Sequence, residues 1–150
     1  MSGVVVVGVG NAVRGDDGVG LVVAEQLAGR VPPGVRVVQC EQEPTRLLDA
    51  WRGTDTAIVV DACASGAEPG SVHRYDASSV GLPAQTFRSS THAFGVGDAV
   101  ELGRALGELP QRVIVYGIEG RDFAAGAPVS DVARAAASLV ADAIAGELAA

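Results

Sequence analysis

The 150-residue chain has the length of one domain, and a domain of that size buries roughly 68–70% of its unfolded surface. Hydrophobic residues make up 48% and charged residues 19%, as in a globular protein, and a formal net charge of −7 with scattered basic residues argues against a nucleic-acid-binding surface. Two cysteines, Cys40 and Cys63, form no CxxC motif and indicate neither a disulfide framework nor a zinc knuckle.

Five aliphatic segments predict strands, and segments with helical periodicity lie between them. The run Val4–Val7 is β-branched throughout, which is typical of a strand covered on both faces. This alternation predicts an α/β fold, a three-layer α/β/α sandwich around a mostly parallel sheet, in one domain over residues 1–150. In chain order the segments are strand Val4–Val7, helix Gly18–Ala28, strand Val35–Gln39, helix Thr45–Trp51, strand Thr56–Val60, a weaker strand Ser71–Tyr75, helix Val96–Leu106, strand Arg112–Tyr116 and a helix after Ser130.

The last helix carries the clearest apolar stripe of the chain. Ser130 is a natural N-cap for it. The spacing predicts that one face is buried against the sheet. The predicted face consists of Val132, Ala136, Leu139, Val140, Ala143 and Ile144.

The first residues have no features of a signal peptide, and no apolar run reaches the eighteen or so residues of a membrane span. We therefore expect a cytoplasmic protein. Nothing in the sequence suggests a nucleic-acid or membrane partner.

Three side chains suited to metal binding lie near the ends of predicted elements. Asp17 is in the glycine-rich turn after the first strand, Asp61 directly follows the third, and His92 lies in a loop before a helix. Ligands of open α/β sheets bind beyond the carboxyl ends of the strands, so we expect these side chains to converge there. Two carboxylates and one imidazole can bind a divalent ion and leave some of its coordination positions open.

The turn after the first strand also resembles the start of a dinucleotide-binding fingerprint. Gly8 and Gly10 match it, but its third glycine would fall at Val13 and is missing. The adjacent Asp16 and Asp17 would repel phosphate at a helix N-terminus. The turn is therefore predicted to suit a cation.

Each of these residues also has a structural interpretation. Asp16 or Asp17 can cap the first helix, and Asp61 can bind the backbone of a neighbouring loop. A carboxylate directly after three aliphatic residues nevertheless carries a desolvation cost, which favours a functional role for Asp61. A single loop histidine such as His92 is commonly just a polar residue at the surface, so a functional role for it depends on Asp17 and Asp61.

Four further residues are weaker candidates. Cys63 can be a soft ligand or a nucleophile, but a small buried side chain is the expected interpretation, because no basic group near it in sequence would lower its pKa. His73 is expected on the surface. Arg14 can contact a substrate carboxylate, or it can balance the negative charge of the neighbouring Asp16 and Asp17. Glu119 is a candidate for substrate contact.

The motifs resemble those of the hydrogenase maturation endopeptidases, which trim the C-terminus of the nickel–iron hydrogenase large subunit. The resemblance spans nearly the whole chain, and its first element is the most specific. It consists of an aliphatic strand leading into Gly8-x-Gly10-Asn11, then Asp16-Asp17-x-x-Gly20, Val59-Val60-Asp61-Ala62, Thr91-His92 and Tyr116-Gly117-Ile118-Glu119.

The resemblance implies that Asp17, Asp61 and His92 form both the metal-binding and the catalytic site. It favours Asp17 over Asp16, since the family ligand is the second acid of the pair. It implies an α/β/α sandwich around a five-stranded sheet, of the phosphorylase/hydrolase-like kind. It further implies a peptidase that recognises nickel already inserted into the large-subunit precursor, so the nickel is carried by the substrate rather than bound permanently. We expect the enzyme to act as a monomer.

The route of peptide-bond cleavage stays open between a metal-bound water and a carboxylate acting as general base, as in an aspartyl protease. A covalent route is disfavoured, because no Ser/His/Asp or Cys/His set is evident. Two other functions compete with cleavage. They are a nickel-dependent chaperone that binds the precursor without cutting it, and a small-molecule hydrolase or phosphorylase on a similar fold.

Overall fold

A computed structural model describes residues 3–41, 43–78 and 95–149. Its strands are β1 (Val4–Val9), β2 (Val35–Cys40), β3 (Thr56–Cys63), β4 (Val72–Asp76) and β5 (Arg112–Glu119). Its helices are α1 (Val19–Leu27), α2 (Pro44–Trp51), α3 (Val96–Leu106) and α4 (Asp131–Ala149), and a 3-10 turn, Gly15–Gly18, precedes α1. None of the helices in these ranges is long and apolar enough to cross a membrane.

The five strands form one sheet in the order β2-β1-β3-β5-β4. All neighbours are parallel except β4, which pairs antiparallel with β5 at the edge. The carboxyl ends of β1, β3 and β5 therefore meet along one edge of the sheet. The predicted α/β class with a mostly parallel five-stranded sheet is confirmed.

The helices cover both faces of the sheet, which gives the three predicted layers. Alternate residues of each central strand point to opposite faces, as the period of two requires. One face packs against α2 and α3, where Trp51 is fully buried. The other face packs against α1 and α4, with Leu27 and Ile144 in its core.

Each strand ends later than the sequence predicts, and the largest extensions are those of β3 and β5. β3 continues through Asp61 to Cys63, and β5 continues to Glu119. The two strands stay paired to their ends, since Asp61 lies opposite Gly117 and Cys63 lies opposite Glu119. Asp61 is thus inside a strand and not just after one, because backbone pairing with β5 outweighs the low strand preference of an acid.

The buried face of α4 is rotated relative to the predicted stripe. Ser130 caps the helix as expected, since its hydroxyl accepts a hydrogen bond from the Ala133 N–H. Leu139, however, is 67% exposed, and Ala143 is also exposed. The residues that face the core are mostly small, so the helix can approach the sheet and α1 closely: Ala133, Ala136, Ala137, Val140, Ala141 and Ile144.

The glycines that resemble a dinucleotide fingerprint instead permit tight packing of the protein's own backbone. A Cβ at Gly8 would collide with the carbonyl oxygen of Gly20, and a Cβ at Gly10 would collide with that of Asp17. A Cβ at Gly20 would collide with the Val9 carbonyl and lie 2.5 Å from that of Val60. These glycines therefore allow the turn and the start of α1 to pack directly against β1 and β3.

Candidate functional site

Asp61 occupies the carboxyl half of the central strand β3. Its side chain is almost fully buried, at 2% exposure. Its Oδ1 accepts a hydrogen bond of 2.8 Å from the Ala62 N–H, which orients the carboxylate along the strand end. The site at this edge of the sheet is therefore built around an acid held in a rigid element.

Asp17 lies in the 3-10 turn that folds back over the end of β1. Its carbonyl accepts a hydrogen bond of 3.1 Å from the Asn11 N–H, and its own N–H donates to the Arg14 carbonyl at 3.2 Å. The side chain is 6% exposed. The turn thus closes on itself and holds Asp17 in place.

The turn and the strand lie against each other, which brings Asp17 and Asp61 to one region. The 3-10 turn contacts β3. Gly8 of β1 pairs with Val60, so Asp61 lies one residue beyond that pair, level with the end of β1 at Val9. Both acids are at the carboxyl edge, where open α/β sheets bind their ligands. His92, the third predicted residue, lies outside the described residues.

The neighbouring Asp16 has a different environment. It is fully buried, and it accepts hydrogen bonds from the backbone N–H groups of Arg121 (2.6 Å), Asp122 (3.2 Å) and Ser130 (2.6 Å) and from the Ser130 hydroxyl (2.8 Å). Burial alone would raise its pKa, but these donors hold the pKa below its ordinary value. Asp16 therefore ties the loop between β5 and α4 to the turn after β1.

A second polar cluster lies at the same edge, over β3, β5 and β4. Glu119 is 2% exposed and accepts hydrogen bonds from the N–H and the hydroxyl of Ser65. His73 Nε2 lies 3.2 Å from Glu119 Oε1, and the Cys63 sulfur lies within 4.8 Å of an oxygen of the same carboxylate. Burial would raise the pKa of Glu119, but these donors lower it.

This cluster differs from two sequence-based expectations. His73 was expected on the surface, yet its side chain is only 26% exposed and reaches inward to Glu119. Glu119 was a candidate for substrate contact, but it is nearly inaccessible and engaged with Ser65. Antiparallel pairing of β4 with β5 places His73 opposite Gly117, and this pairing could not be read from local sequence.

Both cysteines are buried, which confirms the expectation for Cys63. Burial is the main cause that raises the pKa of Cys40 to about 11, and burial together with the Glu119 carboxylate raises the pKa of Cys63 still further. A thiol with a raised pKa is a poor nucleophile near neutral pH. The covalent cysteine route is therefore disfavoured by the structure as well as by the sequence.

Arg14 begins the turn that carries Asp16 and Asp17. Its Nε is buried and has no hydrogen-bond partner among the described residues. A buried donor of this kind commonly has a ligand or an ordered water as partner. Arg14 therefore remains a candidate for contact with a substrate carboxylate.

The chain is similar to known proteins of hydrogenase maturation in sequence and in structure. A family model described as hydrogenase maturation protease (HycI) matches residues 21–147. The hydrogenase expression/formation protein HupD of Thiocapsa roseopersicina is 25% identical over 118 residues, which is 77% of this chain. The match covers 53% of that protein, so the chain spans about half the length of the curated relative.

Solved structures agree with this result. The NiFe hydrogenase maturation protease HycI from Thermococcus kodakarensis KOD1 is 26% identical, with a TM-score of 0.76 over 99% of this chain and 94% of that one. The hydrogenase maturating endopeptidase HybD from E. coli has a TM-score of 0.81 over 99% of this chain and 92% of its own. At 21% identity, the second likeness supports the fold alone.

Proposed function

Since the chain belongs to the hydrogenase maturation protease family, we propose that it is an endopeptidase that removes the C-terminal extension of a nickel–iron hydrogenase large-subunit precursor. It acts after nickel insertion and recognises that nickel, carried by the precursor, through Asp17, Asp61 and His92. The observation that carries the proposal is the placement of two buried carboxylates, Asp17 and Asp61, at the carboxyl edge of the sheet.

The nature of the donors fits a divalent ion supplied by the substrate. Carboxylate and imidazole are both acceptable ligands for nickel, and three protein ligands leave positions for groups of the precursor. Burial removes water that would otherwise screen the charge of the two acids, so a nearby cation is attracted more strongly than on an open surface. Asp16 is unsuited to this task, because its oxygens already accept four hydrogen bonds from the protein.

For cleavage, we favour a carboxylate as general base on the attacking water. Asp17 and Asp61 are the two acids of the proposed precursor site, and either can take the proton as water adds to the scissile carbonyl. The same proton can then pass to the leaving amine. A cysteine nucleophile is unattractive here because Cys63 and Cys40 are buried thiols with raised pKa values.

The proposal is tested with a large-subunit precursor prepared with and without nickel. Incubation with the protein is followed by intact-mass measurement, which identifies both the shortened subunit and the released peptide. We expect removal of a C-terminal peptide from the nickel-loaded precursor only. Cleavage at the N-terminus, or equal cleavage of both forms, would contradict the proposal.

Two other functions are outcomes of the same experiment. Tight binding of the nickel-loaded precursor without any mass change would indicate a chaperone. Absence of both binding and cleavage would leave a small-molecule hydrolase as the better account, with the same edge of the sheet as its site.

A further inference from the structure

We propose that Cys63, His73 and Glu119 form a second metal site, selective for a zinc-like divalent ion and separate from the acids that face the precursor. The thiol sulfur, an imidazole nitrogen and a carboxylate oxygen of these residues all lie within 4.8 Å of one another. We call these three residues the Cys-His-Glu cluster. It is a property of this chain's own fold and does not depend on the proposed protease activity.

The sheet register builds the cluster from three strands. Cys63 at the end of β3 lies directly opposite Glu119 at the end of β5. His73 on β4 lies opposite Gly117, two residues before Glu119, so its ring is on the same face of the sheet. Gly117 has no side chain, and His73 approaches Glu119 across it, with Nε2 3.2 Å from Oε1.

The donor set matches the chemistry of zinc. Tetrahedral zinc takes sulfur at about 2.3 Å and nitrogen or oxygen at about 2.0–2.2 Å, so its ligand atoms lie about 3.3–3.8 Å apart. The observed spacing needs only small side-chain rotations to reach this value. A soft thiolate beside an imidazole selects zinc or cobalt over magnesium and calcium, which prefer oxygen ligands alone.

Charge and access also suit a divalent ion. A thiolate and a carboxylate together neutralise its two positive charges, and the thiol proton leaves to solvent as the sulfur binds the metal. Cys63 and Glu119 are buried, whereas His73 is partly exposed and provides the side from which an ion can enter. A fourth position is left for water.

The position of the cluster gives the ion a structural role near the candidate active site. Cys63 is two residues beyond Asp61 on the same face of β3, which is about 7 Å along the strand. A bound ion would join the ends of β3, β5 and the edge strand β4. It would thereby hold the strand that carries Asp61.

Cobalt titration of the metal-free protein tests the site. Cobalt bound to a thiolate gives a near-ultraviolet charge-transfer band, and Asp17, Asp61 and His92 contain no sulfur that could produce it. We expect one equivalent of cobalt to give the band, and zinc to displace it. Zinc at about 100 times its Kd should raise the Tm by roughly 5–10 °C.

Variants assign the band to residues. Cys63→Ser should abolish the band. His73→Gln should weaken cobalt binding by more than the ~10–100-fold that is typical when the lost residue only hydrogen-bonds a metal ligand. Cys40→Ser is the matched control, since Cys40 is a buried cysteine outside the cluster, and it should keep the band. Asp17→Asn should also keep it, which separates this site from the proposed precursor site.

Three results would overturn the proposal. They are the absence of a thiolate band in the wild-type protein, a band that survives in Cys63→Ser, and unchanged affinity in His73→Gln. Circular dichroism establishes that each variant is folded. If Cys63→Ser fails to fold, the partly exposed His73→Gln decides the question by its affinity.

Discussion

The carboxyl edge of the sheet has two polar regions that are assembled in different ways. Over β1 and β3, the turn with Asp16 and Asp17 comes from one short segment, and Asp61 joins it from the adjacent strand. Over β3, β5 and β4, the Cys-His-Glu cluster comes from three strands, of which β5 is distant in sequence from the other two. The first region is visible as a motif in the sequence, whereas the second exists only through strand pairing.

The comparison also shows that buried acids at one edge have different tasks. Asp16 and Glu119 accept hydrogen bonds from loops and hold them against the sheet. We assign Asp17 and Asp61 to the precursor's nickel instead. Adjacent residues such as Asp16 and Asp17 therefore should respond differently to the same isosteric substitution.

The largest expected effect is on processing by Asp17→Asn and Asp61→Asn. Either change removes a charge that binds the cation and a candidate general base, so cleavage of the nickel-loaded precursor should fall by at least about 10²–10⁴-fold. The Tm should stay within a few degrees of the wild-type value, because the side chain keeps its shape. Rates come from the shortened subunit measured over time.

A loss of folding in both of these variants would assign the two acids to structure. Normal processing by either variant would remove that residue from the site. The same measurement on His92→Ala tests the third predicted residue, with loss of processing expected.

The next largest effect is on stability, and it concerns the close packing of the turn and the start of α1 against the sheet. Gly20→Ala should destabilise the protein by about 3 kcal/mol or more, because the new Cβ meets the Val9 and Val60 carbonyls. Gly146→Ala in α4 is the matched control. Apart from the backbone of α4 itself, no atom of the described residues lies within 4 Å of its added Cβ, and the change should stabilise by about 0.5–1 kcal/mol. Urea unfolding gives both free energies, and a tolerated Gly20→Ala would refute the close packing.

Asp16→Asn should lower the free energy of unfolding at pH 7 by about 2–4 kcal/mol, because an amide NH2 cannot accept from the donors around it. Asp122→Asn is the matched control. Asp122 lies exposed in the same loop, and its side chain accepts a local hydrogen bond from the Ala124 N–H, so its replacement should cost under about 0.5 kcal/mol.

The stabilisation by Asp16 should depend on pH. Its pKa is lower in the folded than in the unfolded protein, so the unfolded state binds the proton more readily. The stabilisation by Asp16 is fully present at pH values above the pKa of the unfolded state, which is about 4. It is lost as the pH falls through the lower pKa of the folded state. The difference in free energy of unfolding between the wild-type protein and Asp16→Asn should therefore decrease in acid. A difference that is independent of pH would contradict this explanation.

The smallest effect is expected at the second region. Ser65→Ala removes the hydroxyl that donates to Glu119 and should cost about 1 kcal/mol. Ser138→Ala, at an exposed position of α4, should be neutral or slightly stabilising. Equal effects of the two changes on urea unfolding would show that the hydrogen bond from the Ser65 hydroxyl to Glu119 contributes nothing to stability.

The sequence alone predicted most of the fold, because aliphatic runs and helical periodicity are local signals. Strands and helices were placed within a few residues of their observed bounds. The ends of β3 and β5 were missed because mutual pairing extends them past Asp61 and Gly117. The buried face of α4 was predicted wrongly, because small alanines occupy much of it, whereas the larger Leu139 is exposed to solvent.

The candidate site was predictable only where its residues share a motif. Asp17 and Asp61 each follow a recognisable segment, so their meeting at one edge could be expected from the topology of α/β sheets. The separate role of Asp16 required the loop at Arg121–Ser130 to be seen, since its donors lie more than 100 residues away. His73 carried no local signal, because its partners lie on other strands.

The most direct test of the account is the ratio of cleavage rates on nickel-loaded and nickel-free precursor, for wild type and for Asp17→Asn. The account predicts a large ratio for the wild-type protein, and a loss of cleavage of the loaded form in the variant. It is contradicted if the wild-type protein cleaves both precursors equally, or if Asp17→Asn processes the loaded precursor at the wild-type rate.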